Sequence, residues 1–237
     1  MADVEAVIFD WGGTLTPWHD VDFELEAQAL AAAAVAADDT AAALLRAAGD
    51  AVWGRSRDHH TSATAATVAD LFDEAGLEHD ASLLTGYRAF WEPHTHTDPD
   101  VVPLLEGLRR DGVKVGVLSN TVWPREWHED FFRRDGVLHL LDGAVYTSEI
   151  PWTKPAPEAF RAAMDAVDAT DPAACVFVGD RLFDDIWGAA NVGMRTILVP
   201  HSDIPLSQVG HTQGEPDAVT HRLAQVYDVV AGWRGTR

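Results

Sequence analysis

The feature that most constrains the fold of this chain is an apolar, β-branched run near the amino terminus that stops at a carboxylate. Residues 4–9 read Val-Glu-Ala-Val-Ile-Phe and are followed by Asp10, Trp11, two glycines and Thr14. The pattern predicts a buried strand that opens into a tight loop. Asp10 would then stand at the carboxyl end of a strand, where open α/β sheets bind ligands, and the glycines would let backbone NH groups approach an anion. A carboxylate beside such a cradle indicates a nucleophile or a metal ligand, although the same residues also form ordinary turns.

Polar residues follow later apolar runs in the same way. Residues 113–118 form one such run and lead to Ser119, and residues 174–178 form another that leads to Asp180. Helical periods alternate with these strands from residue 93 almost to the end of the chain, which predicts a doubly wound parallel sheet of the α/β class. The other expected elements are short strands at 144–146 and 196–199, helices that begin near 157 and 186, a loop at 200–217 and a closing helix at 221–232.

Residues 16–92 lack the strand pattern. Their apolar residues recur at helical spacing, as in the stretch that ends at Gly76 and in the stripe from Leu83 to Trp91 after Asp80, a candidate N-cap. We therefore predict an inserted α-helical cap domain that hangs over the strand ends. The domain boundaries that follow are a cap at 16–92 and an α/β core at 1–15 and 93–237.

The charge balance excludes several kinds of partner. Seventeen Lys and Arg against 38 Asp and Glu give a net charge of −21, and so acidic a surface repels nucleic acid and anionic membranes. An anionic substrate can bind only where local cationic groups offset the negative electrostatic potential of the surface. Cys175 is the one cysteine, and no basic region followed by an apolar run begins the chain, so we expect a cytoplasmic protein without a membrane span. The oligomeric state is not predicted.

Four groups of residues in this order resemble the motifs of the haloacid dehalogenase (HAD) superfamily of hydrolases. Residues 10–14 look like the first motif, Ser119-Asn120 the second, Lys154-Pro155 the third and residues 179–186 the fourth. The resemblance covers nearly the whole chain. The helical insertion after the first motif is similar to the C1-type cap of the phosphoglycolate phosphatase-like branch. The resemblance implies a HAD-like core and a small phosphorylated substrate.

The resemblance also implies a role for each motif residue. Asp10 would attack phosphorus to form an aspartyl-phosphate, and Ser119 and Lys154 would hold phosphoryl oxygens. Mg²⁺ would be bound by Asp10, the backbone carbonyl of Gly12 and Asp180, with Asp185 behind them or orienting Lys154. Further substrate contacts are expected from Gly13, Thr14, Trp18 and Asn120. The charge count agrees, because several carboxylates and a phosphate in one site repel one another unless a divalent, oxygen-binding cation and a lysine neutralise them.

One position departs from the family pattern. The phosphatases of the family carry an aspartate two residues after the nucleophile, which protonates the leaving alcohol and then activates water, and Gly12 occupies that position here. Because general acid-base help is worth about 10² to 10⁴ in rate, alkyl phosphates should turn over slowly, whereas aryl or acyl phosphates should suffer less. His19 or Asp20, just past the loop, could supply the missing proton.

The glycine leaves two other functions open. The chain could be a phosphoryl-binding or regulatory protein that no longer turns over. It could also be a metal-free C–halogen hydrolase, although dehalogenases carry neutral residues in the fourth motif, which is acidic here. The phosphonate-cleaving branch is disfavoured, because it needs a lysine in the cap and the only lysines of the sequence are Lys114 and Lys154, outside the predicted cap.

Each polar residue of the four motifs could also be a simple helix cap or surface group, but their joint occurrence favours one shared site. Asp184 could merely start a helix, and Asp185 fits the family spacing better.

Aromatic and cationic residues are the remaining candidates for substrate contact. Several tryptophans stand where they could face a cavity and suit a flat or apolar leaving group, or could pack between the cap and the core: Trp11, Trp18, Trp53, Trp123, Trp127 and Trp152. The cations of the helical segment that could meet a negative substrate tail are Arg46, Arg55 and Arg57.

Overall fold

The structure is a computed structural model that describes residues 3–35, 40–57, 64–202, 204 and 211–235. Within these residues the strands are β1 (Ala6–Phe9), β2 (Lys114–Ser119), β3 (Gly143–Tyr146), β4 (Cys175–Gly179), β5 (Arg195–Leu198) and β6 (Ala218–Val219). The α-helices are α1 (Phe23–Ala31), α2 (Ala41–Arg57), α3 (Val68–Ala75), α4 (Thr85–Trp91), α5 (Val101–Arg110), α6 (Arg125–Arg134), α7 (Pro157–Ala166), α8 (Gly188–Asn191) and α9 (Ala224–Gly235).

All strands join one parallel sheet in the order β3-β2-β1-β4-β5-β6. The first strand therefore lies near the middle, with Phe9 opposite Val117 of β2 and Val178 of β4. The strand order reverses between β1 and β4, and ligands of open α/β sheets bind in the crevice at such a switch point. The expected α/β class with a parallel sheet is confirmed.

Both faces of the sheet are covered, because side chains alternate along β1. Val7 and Phe9 belong to a core shared with α5, α6, α9 and the helices that follow β1. Ala6 and Ile8 point to the opposite face and pack with residues of α7 and α8. This division into two apolar layers is what a parallel sheet buried on both sides requires.

The four helices α1 to α4 occupy the stretch between β1 and α5, as the helical periodicity predicted. Gly76 ends α3 in the left-handed conformation with φ of 69°, which a residue without a Cβ adopts at little cost. Asp80 caps a 3₁₀ turn, Ala81–Leu84, rather than the helix itself. The predicted apolar stripe is wrong at Leu83, which lies in this turn and is 47% exposed.

Some elements differ from the sequence-based expectations. Helix α6 was not predicted, because its sequence is dominated by charged residues and its apolar side is limited to a few aromatic rings. Strand β6 has only two residues, too few for an alternating pattern. The helix expected near residue 186 begins earlier, as a π-helical turn over Leu182–Trp187. Of the loop expected at 200–217, residues 203 and 205–210 lie outside the described residues. In the part of the chain that is described, none of the helices combines the length and apolarity needed to cross a bilayer.

Candidate active site

The carboxyl ends of β1, β2 and β4 place three sequence-predicted residues at one edge of the sheet. Asp10 directly follows β1, and its backbone NH donates to the carbonyl of Val178 over 2.8 Å. Ser119 is the last residue of β2, and Asp180 directly follows β4. All three are buried, at 6%, 2% and 5% exposure, so their polar groups face the protein interior or one another rather than bulk water.

Lys154 links two of the buried carboxylates. Its ammonium donates to Asp10 Oδ1 at 2.5 Å and to Asp185 Oδ1 at 2.7 Å. Burial by itself lowers the pKa of Lys154, but the charges of Asp10 and Asp185 outweigh it and raise the pKa above its usual value. The lysine therefore stays charged, and it offsets part of the negative charge of the site.

The loop that carries Lys154 is tied to the end of β2. The Asn120 side chain accepts from the Lys154 backbone NH at 2.8 Å and donates to the Lys154 carbonyl at 3.0 Å. Asp185 is held from the other side, because its Oδ2 accepts from the backbone NH of Arg181 at 3.0 Å. These bonds fix the position of the ammonium before any ligand arrives.

Three carboxylates converge at this position. Asp10, Asp180 and Asp185 each offer an oxygen, and these oxygens lie within 4.8 Å of one another. Both oxygens of Asp180 are buried and accept no hydrogen bond from the described residues. Burial raises the pKa of Asp180 well above its usual range, and the charge of Asp10 raises it further. Burial also raises the pKa of Asp10, against the opposing charge of Lys154.

This donor set fits a divalent cation. When all are ionised, three carboxylates and one ammonium leave two negative charges in a buried site, and the oxygens of Asp180 accept no hydrogen bond from the described residues. Buried polar groups without partners are costly, and hard divalent cations such as Mg²⁺ bind oxygen ligands of this type.

The loop after β1 has the geometry expected of its glycines. Gly13 has φ of 97°, and a Cβ at this position would collide with Asp180 and Trp18. Thr14 is fully buried, and its hydroxyl donates to Asp10 Oδ2 at 3.1 Å. Thr14 thus orients the carboxylate, while a direct contact of Thr14 with substrate stays a prediction.

Gly12 differs from Gly13, because its φ is outside the left-handed region and a Cβ built there would meet no atom of the described residues within 4 Å apart from its chain neighbours. The space that a side chain would need is therefore open. The role of the Gly12 carbonyl as a metal ligand stays a prediction.

A cavity of about 580 Å³ extends from this edge to the helical segment. Of the sequence-predicted residues, those that line it are Asp10, Gly12, Gly13, Trp18, Ser119, Asn120, Lys154 and Asp185. His19 also lines the cavity, whereas Asp20 does not. Asp184 lies on the wall, but Asp185 is the neighbour that binds Lys154.

The tryptophan and arginine candidates divide into two groups. Trp11, Trp18, Trp53 and Trp123 line the cavity, whereas Trp127 and Trp152 do not. Arg46 lines it as well. Arg55 instead forms an ion pair with Glu74 at 3.0 Å, and the side chain of Arg57 is outside the described residues.

Sequence reasoning missed two contributions to this region. His201 Nε2 lies 3.1 Å from the carbonyl oxygen of Gly13 and 2.9 Å from that of Thr14. These contacts help to hold the loop after β1 in place. On the cavity wall, the Tyr87 hydroxyl donates to Glu26 Oε1 at 2.7 Å. These partners are separated by many residues in the chain, and no local pattern marks them.

Comparisons with known proteins agree with this arrangement. The model of the haloacid dehalogenase-like hydrolase family matches residues 4–193. The chain therefore belongs to the haloacid dehalogenase-like hydrolases, and the family resemblance inferred from the motifs is confirmed.

The individual relatives share only about a fifth to a third of their aligned residues with this chain. A protein of Methanopyrus kandleri named glyceraldehyde 3-phosphate phosphatase is 32% identical over 132 residues, or 56% of this chain. That match spans about half of the relative's own length, 55%. A HAD phosphatase from Thermococcus onnurineus has a TM-score of 0.63 at 22% identity, with 98% of this chain and 100% of that chain covered. An L-2-haloacid dehalogenase from Xanthobacter autotrophicus has a TM-score of 0.65 at 21% identity, with 99% and 100% covered. The two solved structures show the shared fold alone.

Proposed function

We propose that this chain is a Mg²⁺-dependent phosphatase that moves a phosphoryl group from a small phosphorylated molecule to Asp10 and then to water. The observation that carries the proposal is the buried Asp10–Lys154–Asp185 chain beside Asp180, whose two oxygens have no partner among the described residues. The name of the Methanopyrus kandleri relative supports a phosphorylated substrate. Residues 16–92 act as a helical cap in this proposal, since the cavity runs between them and the strand ends.

Each residue has a defined task. A carboxylate oxygen of Asp10 attacks phosphorus, and the Thr14 hydroxyl at 3.1 Å holds this carboxylate in one orientation. Lys154 and Ser119 bind the phosphoryl oxygens, and Asp185 with Asn120 keeps the lysine in place. Asp10 and Asp180 would hold Mg²⁺, which when bound neutralises charge on the phosphoryl group. Burial of these groups strengthens their electrostatic effect on the developing charge.

The test is phosphate release from a panel of phosphate esters and acyl phosphates, glyceraldehyde 3-phosphate included, with Mg²⁺ and with EDTA. We expect turnover that requires the metal and that is abolished in Asp10→Asn. Asp228→Asn, at an exposed position of α9 off the cavity wall, is the matched control and should retain folding and Mg²⁺ dependence. Undiminished turnover in EDTA or in Asp10→Asn would contradict the proposal.

Gly12 supports a second candidate, a phosphoryl-binding protein that does not turn over. The absence of a carboxylate side chain at Gly12 supports this candidate, and a Cβ built there meets no atom of the described residues within 4 Å apart from its chain neighbours. Wild-type protein that binds phosphate esters without hydrolysing any of them, together with activity in Gly12→Asp, would favour this candidate over the phosphatase.

A C–halogen hydrolase remains the lesser alternative. It would need no metal, yet the acidic trio of Asp10, Asp180 and Asp185 is better suited to a cation than to a metal-free reaction. Halide release from 2-chloropropionate in EDTA would establish that chemistry, and its absence beside Mg²⁺-dependent phosphate release would remove it.

A further inference from the structure

The cavity beyond Asp10 is larger and more aromatic than a small aliphatic phosphate requires. Its volume, about 580 Å³, falls in the range of sites that enclose drug-sized ligands. Aromatic side chains line the cavity from the loops after β1 and β2 and from the helical segment. They are Trp11, Trp18, Phe23, Trp53, Tyr87, Trp91 and Trp123. A three-carbon phosphate would leave most of these rings without contact.

The rings form a connected wall. Trp123 lies edge-on to Trp11 with centroids 5.7 Å apart and to Trp91 at 5.2 Å. Such contacts hold flat faces in fixed positions, and a flat ligand ring gains most from faces that are already held. The indole nitrogens of Trp11 and Trp18 are buried and donate to none of the described residues. Oxygen atoms of a ligand would give these two donors the partners that they lack.

Carboxylates also line the cavity from the helical segment, namely Glu26 on α1 and Asp50 on α2. Glu26, on α1, accepts a 2.7 Å hydrogen bond from the buried Tyr87 hydroxyl and lines the cavity. Burial raises the pKa of Glu26, and the Tyr87 bond opposes this only in part. Arg46, on the same cavity wall, lowers the pKa of Glu26 through its charge. A polar group set in an apolar wall fixes the orientation of the ligand that pairs with it.

The glycine at position 12 adds an independent constraint on the chemistry of the leaving group. Gly12 has no side chain to protonate a departing oxygen, and among the described residues only its chain neighbours come within 4 Å of the place where its Cβ would be. A leaving group that departs as a stable anion does not need that proton. A phenolate is such a group, whereas an alkoxide is not.

We propose that the substrates are aryl phosphate monoesters whose ring carries a hydrogen-bond-donating hydroxyl or ammonium group, and that Glu26 accepts from this group. The inference rests on the phosphatase function proposed above and specifies its substrate class. Attack by Asp10 forms the Oδ–phosphorus bond and breaks the bond between phosphorus and the aryl oxygen, whose electron pair leaves on the phenolate. Water then displaces the Asp10 carboxylate from phosphorus. One proton of that water ends on the phenolate and the other oxygen–hydrogen bond remains in hydrogen phosphate, so the products are a phenol and inorganic phosphate.

The first experiment compares substrates in the wild-type protein with Mg²⁺. The probes are 4-(2-aminoethyl)phenyl phosphate, its uncharged match 4-ethylphenyl phosphate, glyceraldehyde 3-phosphate and glycerol 3-phosphate. We expect kcat/KM for both aryl esters to exceed that of the alkyl esters by about 10² or more, because only the alkyl esters need the missing acid. Equal or faster turnover of the alkyl esters would overturn the proposal while leaving the phosphatase function intact.

The second experiment examines Glu26 through substrate preference. Glu26→Gln preserves shape but removes the charge that pairs with an ammonium group. It should lower kcat/KM for the aminoethyl ester by about 10- to 100-fold and change that of the ethyl ester by less than about threefold. Glu24→Gln, on an exposed site of the same helix and off the cavity wall, is the control and should alter neither. An equal loss for both esters in Glu26→Gln would show a merely structural role and would refute the assignment.

Binding without turnover separates failure of this inference from failure of the proposed function. Tyramine and 4-ethylphenol, the two product phenols, are titrated into wild type and Glu26→Gln while tryptophan fluorescence is followed. Tyramine should quench the wild type with the lower Kd, and this preference should disappear in the variant. Inactivity toward every ester combined with selective tyramine binding would refute the phosphatase function and support the aromatic binding site. Turnover without selective tyramine binding would support the phosphatase function and refute the role of Glu26.

Discussion

Gly12→Asp would place a carboxylate two residues after Asp10, in the position from which the family's phosphatases protonate the leaving group. The backbone can accept it, because the φ of Gly12 is outside the left-handed region and, chain neighbours apart, a Cβ there meets no atom of the described part of the chain within 4 Å. Loss of the glycine also restricts the unfolded chain, which favours folding by up to about 1 kcal/mol. A new carboxylate near three others offsets that gain. We therefore expect a thermal midpoint close to that of the wild type with Mg²⁺ present.

The expected kinetic effect depends on the leaving group. A positioned general acid is worth about 10² to 10⁴ in rate, or about 3 to 5.5 kcal/mol of barrier. Gly12→Asp should raise kcat/KM for glycerol 3-phosphate by a factor in this range. It should raise kcat/KM for 4-ethylphenyl phosphate by less than about tenfold, because kcat/KM reports the step in which the leaving group departs, and a phenolate leaves without a proton. The dependence of rate on leaving-group basicity should therefore flatten.

Phosphate release from a series of esters, measured in the wild type and in Gly12→Asp at saturating Mg²⁺, gives this dependence directly. Gly12→Asn is the matched control, since it has nearly the same shape and no acid function. If Gly12→Asn accelerates alkyl esters as much as Gly12→Asp does, the gain comes from filling space, and the reasoning from proton transfer is refuted.

Other predictions address stability, pH and the missing acid. Lys154→Met leaves Asp10 and Asp185 buried without their cation and should destabilise the metal-free protein by about 3 to 5 kcal/mol in urea unfolding; a loss below about 1 kcal/mol would show that the ion pairs contribute little. Burial lowers the pKa of His128 from 6.5 to about 3, so the folded protein binds fewer protons than the unfolded chain, and stability present above pH 6.5 is lost as pH falls toward 3. His128→Phe should therefore show a shallower fall of unfolding free energy over that range, and an unchanged slope would contradict the assignment. His19→Ala should slow alkyl esters more than aryl esters if this cavity residue moves the proton, whereas Asp20→Asn should not; unchanged turnover in both variants would rule out both residues.

Residue order alone determined much of the arrangement around Asp10. Parallel strands end at the same edge, so residues that directly follow apolar runs must approach one another, and Asp10, Ser119 and Asp180 do so here. A short-range pattern was sufficient, because each of these residues is placed by the strand that precedes it. The α/β class followed from the same alternation of apolar runs and helical periods.

The tertiary structure alone decided which distant side chains meet. Nothing in the local sequence pairs Glu26 with Tyr87, or His201 with the loop that contains Gly13, since these contacts depend on how separate elements pack. Helical periodicity identified an apolar stripe but not its neighbour, and Leu83, at the start of that stripe, is 47% exposed. A strand fixes the residue at its own end through the backbone, whereas the wall of a cavity is set by the relative orientation of several helices, and that orientation is a property of the whole packed core.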